Sequence, residues 1–229
     1  SCCIIKHANP CGVAEADTLE EAYHLAYSTD ATSAFGGVIA FNRPVDESLA
    51  EKILNRQFVE VVVAPSFEER ALTVFSRKEN VRILELPKKG SPSESLWDIR
   101  SVSGGILVQE RDRIDAKENI SAYAIVSKRR PTPDEEKDLL FAWKVAAYVK
   151  SNAIVFASGS RTLGIGAGQM SRIYSAKLAG MKADDEGLSV HGAAMASDAF
   201  FPFRDGVDEV AKKGISAIIQ PGGSVRDSE

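Results

Sequence analysis

The sequence lacks any long apolar run and any block of consecutive basic residues. No stretch approaches the roughly 18 apolar residues that cross a bilayer. The 28 basic residues are scattered among 32 acidic ones, for a net charge of -4, whereas proteins that follow a phosphate backbone concentrate Lys and Arg. Residues 1–12 have no charged region followed by an apolar run and a cleavage site. These absences argue against membrane and nucleic-acid partners and predict a cytoplasmic protein.

Cysteine is scarce, and its three copies lie close together as Cys2, Cys3 and Cys11. Adjacent cysteines rarely fit disulfide geometry, so reduced thiols are expected. Zinc-dependent nucleobase deaminases carry H-x-E followed by P-C-x-x-C. Here Pro10 and Cys11 begin the second motif, but Ala14 stands where its second cysteine belongs, and none of the three histidines begins H-x-E. The sequence therefore predicts no zinc site.

The pattern of apolar residues indicates the fold class. The 229 residues, of which 44% are hydrophobic and 26% charged, can bury a core in one large or two small domains. Apolar β-branched runs alternate with segments of helical period, which predicts an α/β fold with a parallel or mixed sheet. The predicted strands are residues 2–6, 34–41, 59–64, 81–86, 153–157, 193–200 and 216–220, with an antiparallel edge at 97–109. The predicted helices are residues 18–28, 46–56, 68–78, 134–150, 171–180 and 207–213.

Two segments rich in loop-forming residues organise the chain. Residues 86–95 are rich in Pro, Gly and Ser and are expected to form a surface loop. Pro131 and Pro133 precede a long amphipathic segment that opens with acidic residues, as many helices do. We place a boundary there, between residues 1–130 and 131–229. The order of elements leaves a structural duplication open, although the residues of the two parts do not visibly align.

Lys6 and His7 follow an apolar strand directly and precede a tight turn. In open α/β sheets ligands bind at the carboxyl ends of strands, and loops held by a rigid sheet often carry catalytic groups. Both side chains can face one ligand only if the strand has ended by His7. The alternative is a capped strand end with an exposed lysine and a structural histidine.

Gly164, Gly166 and Gly168 precede a segment of helical period that Ser171 could cap. Free backbone amides there, aided by Arg172, would suit an anionic ligand. The glycine spacing differs from the dinucleotide-binding fingerprint, and a plain tight turn explains the glycines equally well.

Residues 197–205 place three aromatic side chains around a proline and end on an Arg-Asp pair. Aromatic rings beside a carboxylate would suit a flat heterocycle with polar edges. A core strand followed by an Asp helix cap is the alternative. Residues 220–224, QPGGS, end another strand in a glycine turn and by themselves indicate only a loop.

Six segments in this order resemble motifs of the AICAR (phosphoribosylaminoimidazolecarboxamide) formyltransferase family: KHANPCGVA, TSAFGGVIAFN, SNAIVFA, LGIGAGQMSR, SDAFFPFRDGVD and IIQPGGSVRD. The resemblance spans residues 6–227. It implies two cytidine-deaminase-like three-layer subdomains with mixed sheets and without the zinc site, at residues 1–130 and, truncated, 131–229. The family's separate IMP cyclohydrolase domain has no counterpart here, nor do an upstream Arg-Tyr element and a downstream Arg-bearing segment with paired histidines that help bind the nucleotide phosphate. A partial chain is therefore expected.

The resemblance implies formyl transfer from 10-formyltetrahydrofolate to the 5-amino group of AICAR in purine (IMP) biosynthesis. That amine is a weak nucleophile because its lone pair is delocalised, so a general base must remove its proton. By resemblance His7 is the base. Lys6 would stabilise the developing oxyanion and help protonate the departing folate nitrogen, and Asn152 would orient base and substrate.

The resemblance also implies the binding residues and the partners. AICAR would contact Phe35 and Gly36 through their backbone, and also Glu60, Arg172 and Phe200. The folate co-substrate would lie along seven residues, with Asp205 reaching the pterin: Met170, Ile173, Pro202, Phe203, Asp205, Ser224 and Val225. A homodimer with shared active sites is expected, with no zinc. The alternative is a non-catalytic folate- or nucleotide-binding fragment.

Overall fold

The computed structural model describes residues 1–86, 97–111 and 123–229. The predicted loop at residues 86–95 lies, apart from Leu86, outside the described residues. These ranges contain seven helices: α1 (Leu19–Tyr27), α2 (Ala31–Ala34), α3 (Glu47–Arg56), α4 (Glu69–Phe75), α5 (Pro133–Ala146), α6 (Arg172–Asp185) and α7 (Asp205–Lys212). Their eleven strands are β1 (Cys2–Lys6), β2 (Asn9–Ala14), β3 (Gly37–Phe41), β4 (Val59–Ala64), β5 (Arg82–Glu85), β6 (Trp97–Val102), β7 (Gly105–Glu110), β8 (Ile154–Ser158), β9 (Arg161–Gly166), β10 (Ala194–Ser197) and β11 (Ala217–Ile219).

Most predicted elements are confirmed, with ends shifted by a few residues. Strands β1 and β4 match their predictions to the residue. The strand predicted from residue 34 begins only at Gly37, because Asp30 caps a short helix before it by accepting a hydrogen bond from Ser33 N at 2.9 Å. Strands β2 and β9 were not predicted. Both contain glycine, which is depleted in strands, so their sequences do not indicate a strand.

Nine strands form one mixed sheet in the order β11-β10-β8-β9-β2-β1-β3-β4-β5. Strands β3, β4 and β5 are parallel, and β1 runs antiparallel to β3. In the second half β10 and β11 are parallel and β8 runs antiparallel to β10. The halves join where Ala14 of β2 pairs with Arg161 of β9. Because the sheet is continuous, the division at residue 130 stays a prediction.

Each half repeats one arrangement of strands. A hairpin (β1–β2 or β8–β9) is followed by a strand antiparallel to the hairpin's first strand, and then by a parallel neighbour. The helix after each hairpin packs closely on its second strand. A Cβ on Gly12 would lie 1.9 Å from Ala26 O of α1, and one on Gly164 would lie 2.1 Å from Ala179 O of α6. This equivalence supports the duplication that the sequence left open.

The core lies between the sheet and its helices. In the first half, Ile4, Ile39 and Val62 pack with buried residues of α1, α3 and α4 on one face. In the second half, Val155 faces the α5 side and Phe156 faces the α6 and α7 side, so both faces of β8 are covered. In the ranges that the structure describes, no helix is long and apolar enough to cross a membrane.

The prediction that residues 97–109 add an edge to the main sheet is wrong. Strands β6 and β7 pair only with each other, from Trp97 opposite Glu110 to Val102 opposite Gly105. Large apolar side chains on this hairpin are exposed, among them Ile99 at 60% and Leu107 at 60%. Within the described chain, almost every residue of this hairpin is exposed.

Candidate active site

The predicted site residues of both halves lie along one edge of the sheet. Strand β1 ends at this edge at Lys6, and β3 and β4 begin there. Strand β8 begins at the same edge, while β9, β10 and β11 end there. Among the parallel strands, therefore, only β10 and β11 present their carboxyl ends to the predicted site residues. Because β1 runs antiparallel to them, β3 and β4 offer their amino ends.

His7 and Ala8 form the two-residue turn of the β1–β2 hairpin. Their φ angles are 50° and 62°, the positive values that a type I′ turn requires and that Asn and Gly normally supply. Such backbone angles cost a non-glycine residue roughly 1–3 kcal/mol and occur most often at functional sites. Strand β1 ends at Lys6, which is the condition for Lys6 and His7 to face the same ligand. The imidazole of His7 is exposed. This environment is compatible with the predicted role of His7, which stays a prediction.

The Lys6 ammonium is held by the turn that precedes β3. Its Nζ donates to Phe35 O and to Gly36 O, each at 2.9 Å. Phe35 has φ -57° and ψ 125°, and Gly36 has φ +65°, which match the central positions of a type II turn. A Cβ on Gly36 would lie 3.0 Å from Lys6 Nζ and 3.7 Å from Glu60 Oε1. The structure thus brings together Lys6 and three of the residues predicted to bind nucleotide.

Phe58 belongs to the same cluster, although the sequence did not single it out. Its ring centroid lies 5.4 Å from that of Phe35, and both rings are largely exposed. Its carbonyl accepts from Gly36 N at 2.8 Å. The only sequence signal was an apolar residue just before a buried strand.

Asn152 lies between the hairpin turn and the glycine segment. Its Nδ2 donates to Gln169 O at 2.7 Å, and its carbonyl accepts from Ser175 Oγ at 2.8 Å. Two residues earlier, Lys150 N donates to Asn9 Oδ1 at 2.8 Å. Asn9 follows the His7 turn directly, so this bond ties the segment of Asn152 to the segment of Lys6 and His7. Asn9 was not predicted as a site residue.

Arg172 and Asp198 form a nearly buried ion pair, with side chains 11% and 14% exposed and Nη2 2.8 Å from Oδ1. Arg172 also donates to Ser197 Oγ at 2.8 Å and to Phe200 O at 3.3 Å. Desolvation raises the pKa of Asp198, but hydrogen bonds from Ser151, Arg172 and the Ala153 amide outweigh it, so the pKa lies below its usual value. Asp198, which the sequence analysis did not select, therefore holds Arg172 as a carboxylate.

The glycines at 164–168 do not form an open loop. Gly164 and Gly166 lie within β9, and a Cβ on Gly166 would lie 1.9 Å from Ser175 O of α6. Gly168 N donates to Lys150 O at 2.9 Å, and Ser171 makes no side-chain capping bond to α6. The turn interpretation of Gly164 and Gly166 is therefore wrong, and the anion-binding interpretation of the segment before α6 stays a prediction. These two glycines let α6 approach the sheet.

The residues predicted to bind folate surround the ends of β9, β10 and β11. Met170 and Val225 are each 99% exposed, and Phe203 is 52% exposed, with the Arg226 guanidinium 5.2 Å from its ring centre. Phe201, in contrast, belongs to the core. The remaining predicted residues lie on the same rim: Ile173 in the first turn of α6, Pro202 before α7, Asp205 as the first residue of α7 rather than its cap, and Ser224 after β11.

The two groups of residues are far apart within one chain. Phe35 and Gly36 precede β3, whereas Phe200 follows β10, and the strand order places these strands five steps apart. At roughly 4.8 Å per step, the separation is about 24 Å. None of the predicted site residues lines the cavity of about 620 Å³ between α1 and α3.

The model of the AICARFT/IMPCHase bienzyme family matches residues 1–182 of the chain. The chain belongs to this family. Membership gives the protein a role in purine biosynthesis and implies a transferase or a cyclohydrolase activity. The match includes the hairpin turn, the cluster around Lys6, and Asn152.

All three cysteines of this family member carry free thiols. The described ranges contain no group of three or more His, Cys, Asp or Glu side chains placed to hold a metal ion. Burial raises the pKa of Cys3 to about 11 and that of Cys11 to about 12. The hydrogen bond from Cys11 Sγ to Ile4 O at 3.5 Å fits a structural role for this buried thiol.

Proposed function

We propose that this chain carries the formyltransferase activity of its family, transferring the formyl group of 10-formyltetrahydrofolate to the 5-amino group of AICAR. The observation that carries the proposal is the common edge. Lys6, His7 and Asn152 lie there, joined through the bond between Asn9 and Lys150. A second observation supports it: His7 has a positive φ, and strained backbone angles of this kind cluster at functional sites.

In the proposed reaction the AICAR nitrogen forms a bond to the formyl carbon, and the bond from that carbon to folate N10 breaks. His7, exposed on its turn, removes the amine proton as the new bond forms. The Lys6 ammonium, oriented by two carbonyl oxygens, stabilises the developing oxyanion and helps protonate N10. Each of these contributions is typically about a hundredfold or more.

The binding roles follow the two groups of residues. We propose that the nucleotide contacts the turn of Phe35 and Gly36 together with Glu60, and that Arg172 and Phe200 form the other side of its site. The folate would lie along the exposed rim of the second half, where Met170 and Phe203 offer apolar contact and Asp205 a carboxylate. Their high exposure supports a role in binding rather than in the core.

We also propose that two copies of the chain share their active sites. The separation of about 24 Å, from five strand steps, supports completion of each site by a partner. Ile106, Leu107 and Val108 are 65%, 60% and 52% exposed, and a lone two-stranded hairpin is marginally stable in water. Sedimentation velocity should show a dimer that Leu107→Asp weakens and Gln109→Asp does not. A monomer at micromolar concentration would contradict this proposal.

The repeated hairpin and strand order supports the further proposal that each half is a cytidine-deaminase-like subdomain. Each half presents its strands in one mixed order: β2-β1-β3-β4 in the first and β9-β8-β10-β11 in the second.

The decisive experiment mixes the purified chain with AICAR and 10-formyltetrahydrofolate and follows tetrahydrofolate formation by absorbance. We expect turnover that His7→Ala abolishes and that His24→Ala, an exposed histidine on α1, leaves unchanged. Normal turnover in His7→Ala would refute the base assignment. Folate binding by a folded sample without turnover would favour the non-catalytic alternative.

A further inference from the structure

A buried polar side chain connects the core of the first half to the turn that holds Lys6. Gln57 is 9% exposed and ends α3, where its backbone N donates to Ile53 O at 3.1 Å. Its Oε1 accepts from the hydroxyl of Tyr23, which is fully buried, at 3.2 Å. Its Nε2 donates to Ala34 O at 3.0 Å. Both polar ends of the amide are therefore engaged inside the core.

The bond to Ala34 matters because Ala34 begins the turn. In a type II turn the central peptide is flipped relative to type I, so the direction of Phe35 O depends on which turn forms. The segment of Gln57 and Phe58 fixes the turn at both ends, through Gln57 Nε2 to Ala34 O at 3.0 Å and Gly36 N to Phe58 O at 2.8 Å. Between these two hydrogen bonds lies the Phe35 carbonyl, and the Gly36 carbonyl follows directly; both accept from Lys6 Nζ.

We propose that Gln57 is a positioning residue for the active site: with Tyr23 behind it, it sets the turn that orients the Lys6 ammonium and presents the Phe35–Gly36 backbone to the nucleotide. Gln57 touches no substrate in this arrangement. The proposal rests on the formyltransferase function and names a control element of the same site. Because a buried donor or acceptor that loses its partner is penalised, the two hydrogen bonds of Gln57 hold its amide, and with it Ala34 O, in one geometry.

The test compares Gln57→Met, which keeps the side chain's length and removes both hydrogen bonds, with Ile53→Val one turn earlier on α3. Ile53 is fully buried but has no side-chain hydrogen bond to the turn, so its variant controls for lost packing alone. AICAR binding is measured by calorimetry and turnover by absorbance, both below the unfolding temperature of each variant. We expect Gln57→Met to weaken AICAR binding and to lower kcat by about two- to tenfold each, the range of one net hydrogen bond, with unchanged binding stoichiometry.

A merely structural role gives a different result. A sample with an irreversibly unfolded fraction binds fewer equivalents of AICAR with unchanged Kd, and that outcome would overturn the proposal. If Gln57→Met does not fold, Tyr23→Phe tests the same network by removing one hydroxyl, and it should shift Kd in the same direction by a smaller factor. An unchanged Kd in a folded Tyr23→Phe would also overturn it.

A double-mutant cycle tests whether Gln57 affects kcat through Lys6. If Gln57 acts on turnover through the Lys6 turn, Gln57→Met should lower kcat much less in a Lys6→Met background than in the native chain. Full additivity would refute the coupling. A native chain that neither binds AICAR nor turns over would instead refute the formyltransferase assignment, so the two failures are distinguishable.

Discussion

Replacing Gly36 with alanine tests the link between the type II turn and the Lys6 ammonium. Gly36 has φ +65°, a conformation that costs a residue with a Cβ about 1–2 kcal/mol. The added Cβ would lie 3.0 Å from Lys6 Nζ but 3.5 Å or more from Phe58 and Glu60. Only Lys6 is crowded, and its flexible end must move by a few tenths of an ångström.

Two measurements separate the backbone cost at Gly36 from the displacement of the Lys6 ammonium. Urea denaturation should show a free energy of unfolding lower by about 1–2 kcal/mol, from the backbone term alone. The turnover assay should show a fall of about tenfold, because a displacement of 1 Å at a catalytic group can cost about a hundredfold and this one is smaller. AICAR affinity should also fall, since the Gly36 backbone is part of the proposed nucleotide site.

Gly159→Ala is the matched control. Gly159 has φ +61°, and nothing lies within 4 Å of the Cβ position. It turns β8 into β9 at the opposite edge of the sheet. We expect the same loss of stability with native turnover. If the two variants lost equal stability and both kept native turnover, the argument that the turn orients Lys6 would be refuted.

Three further results are expected. Arg172→Met should lower the free energy of unfolding by about 3–5 kcal/mol, because it leaves the nearly buried Asp198 carboxylate without its charged partner. If the unpaired carboxylate causes the loss, adding Asp198→Asn should restore stability in urea denaturation. The hydrogen bond from Arg129 holds the pKa of Glu135 down at about 2, so its contribution to stability is present above about pH 4.3 and is lost as pH falls toward 2. Glu135→Gln, which can keep the α5 capping box, should flatten that acid limb in pH-dependent urea titrations. Cys11, whose pKa burial raises to about 12, should react slowly with a thiol reagent at pH 8 and rapidly once urea unfolds the chain.

Each of these has an outcome that contradicts it. Arg172→Met of native stability would mean that the ion pair contributes little. An unchanged acid limb in Glu135→Gln would assign the acid sensitivity to other carboxylates. Rapid, stoichiometric modification of Cys11 in the folded chain would show that this thiol is not protected by burial.

The sequence predicted those elements whose own residues specify them. Strands β1 and β4 are short, largely apolar runs rich in Ile or Val, and they appeared as predicted. Strand β2 contains Pro10 and Gly12 and forms because β1 and β9 flank it, which no local pattern reveals. Strand β9 was interpreted as a turn because it contains Gly164 and Gly166. These glycines are required because α6 packs close to the sheet, which is a tertiary constraint that the local sequence does not reveal.

The residues of the candidate site were predictable to a similar degree. Lys6 and His7 were recognisable from a strand that ends abruptly in polar residues. Phe58, Asn9 and Asp198 were not, because each acts through a partner that lies 22 residues or more away along the chain. Such contacts depend on the strand order, which the sequence pattern did not give.

The opposite strand directions in the two halves also give the shared edge an electrical polarity. In the first half, α1, α3 and α4 each precede a strand that begins at this edge, so their carboxyl ends point toward it. In the second half, α6 and α7 follow strands that end there, so their amino ends point toward it, while α5 precedes β8, which begins there, so its carboxyl end points toward the edge as well. Helix dipoles place about half a positive charge at each amino end and half a negative charge at each carboxyl end. The backbone alone therefore favours an ammonium group beside the first half and an anionic group beside α6 and α7, and it gives a charged ligand a preferred direction along the edge.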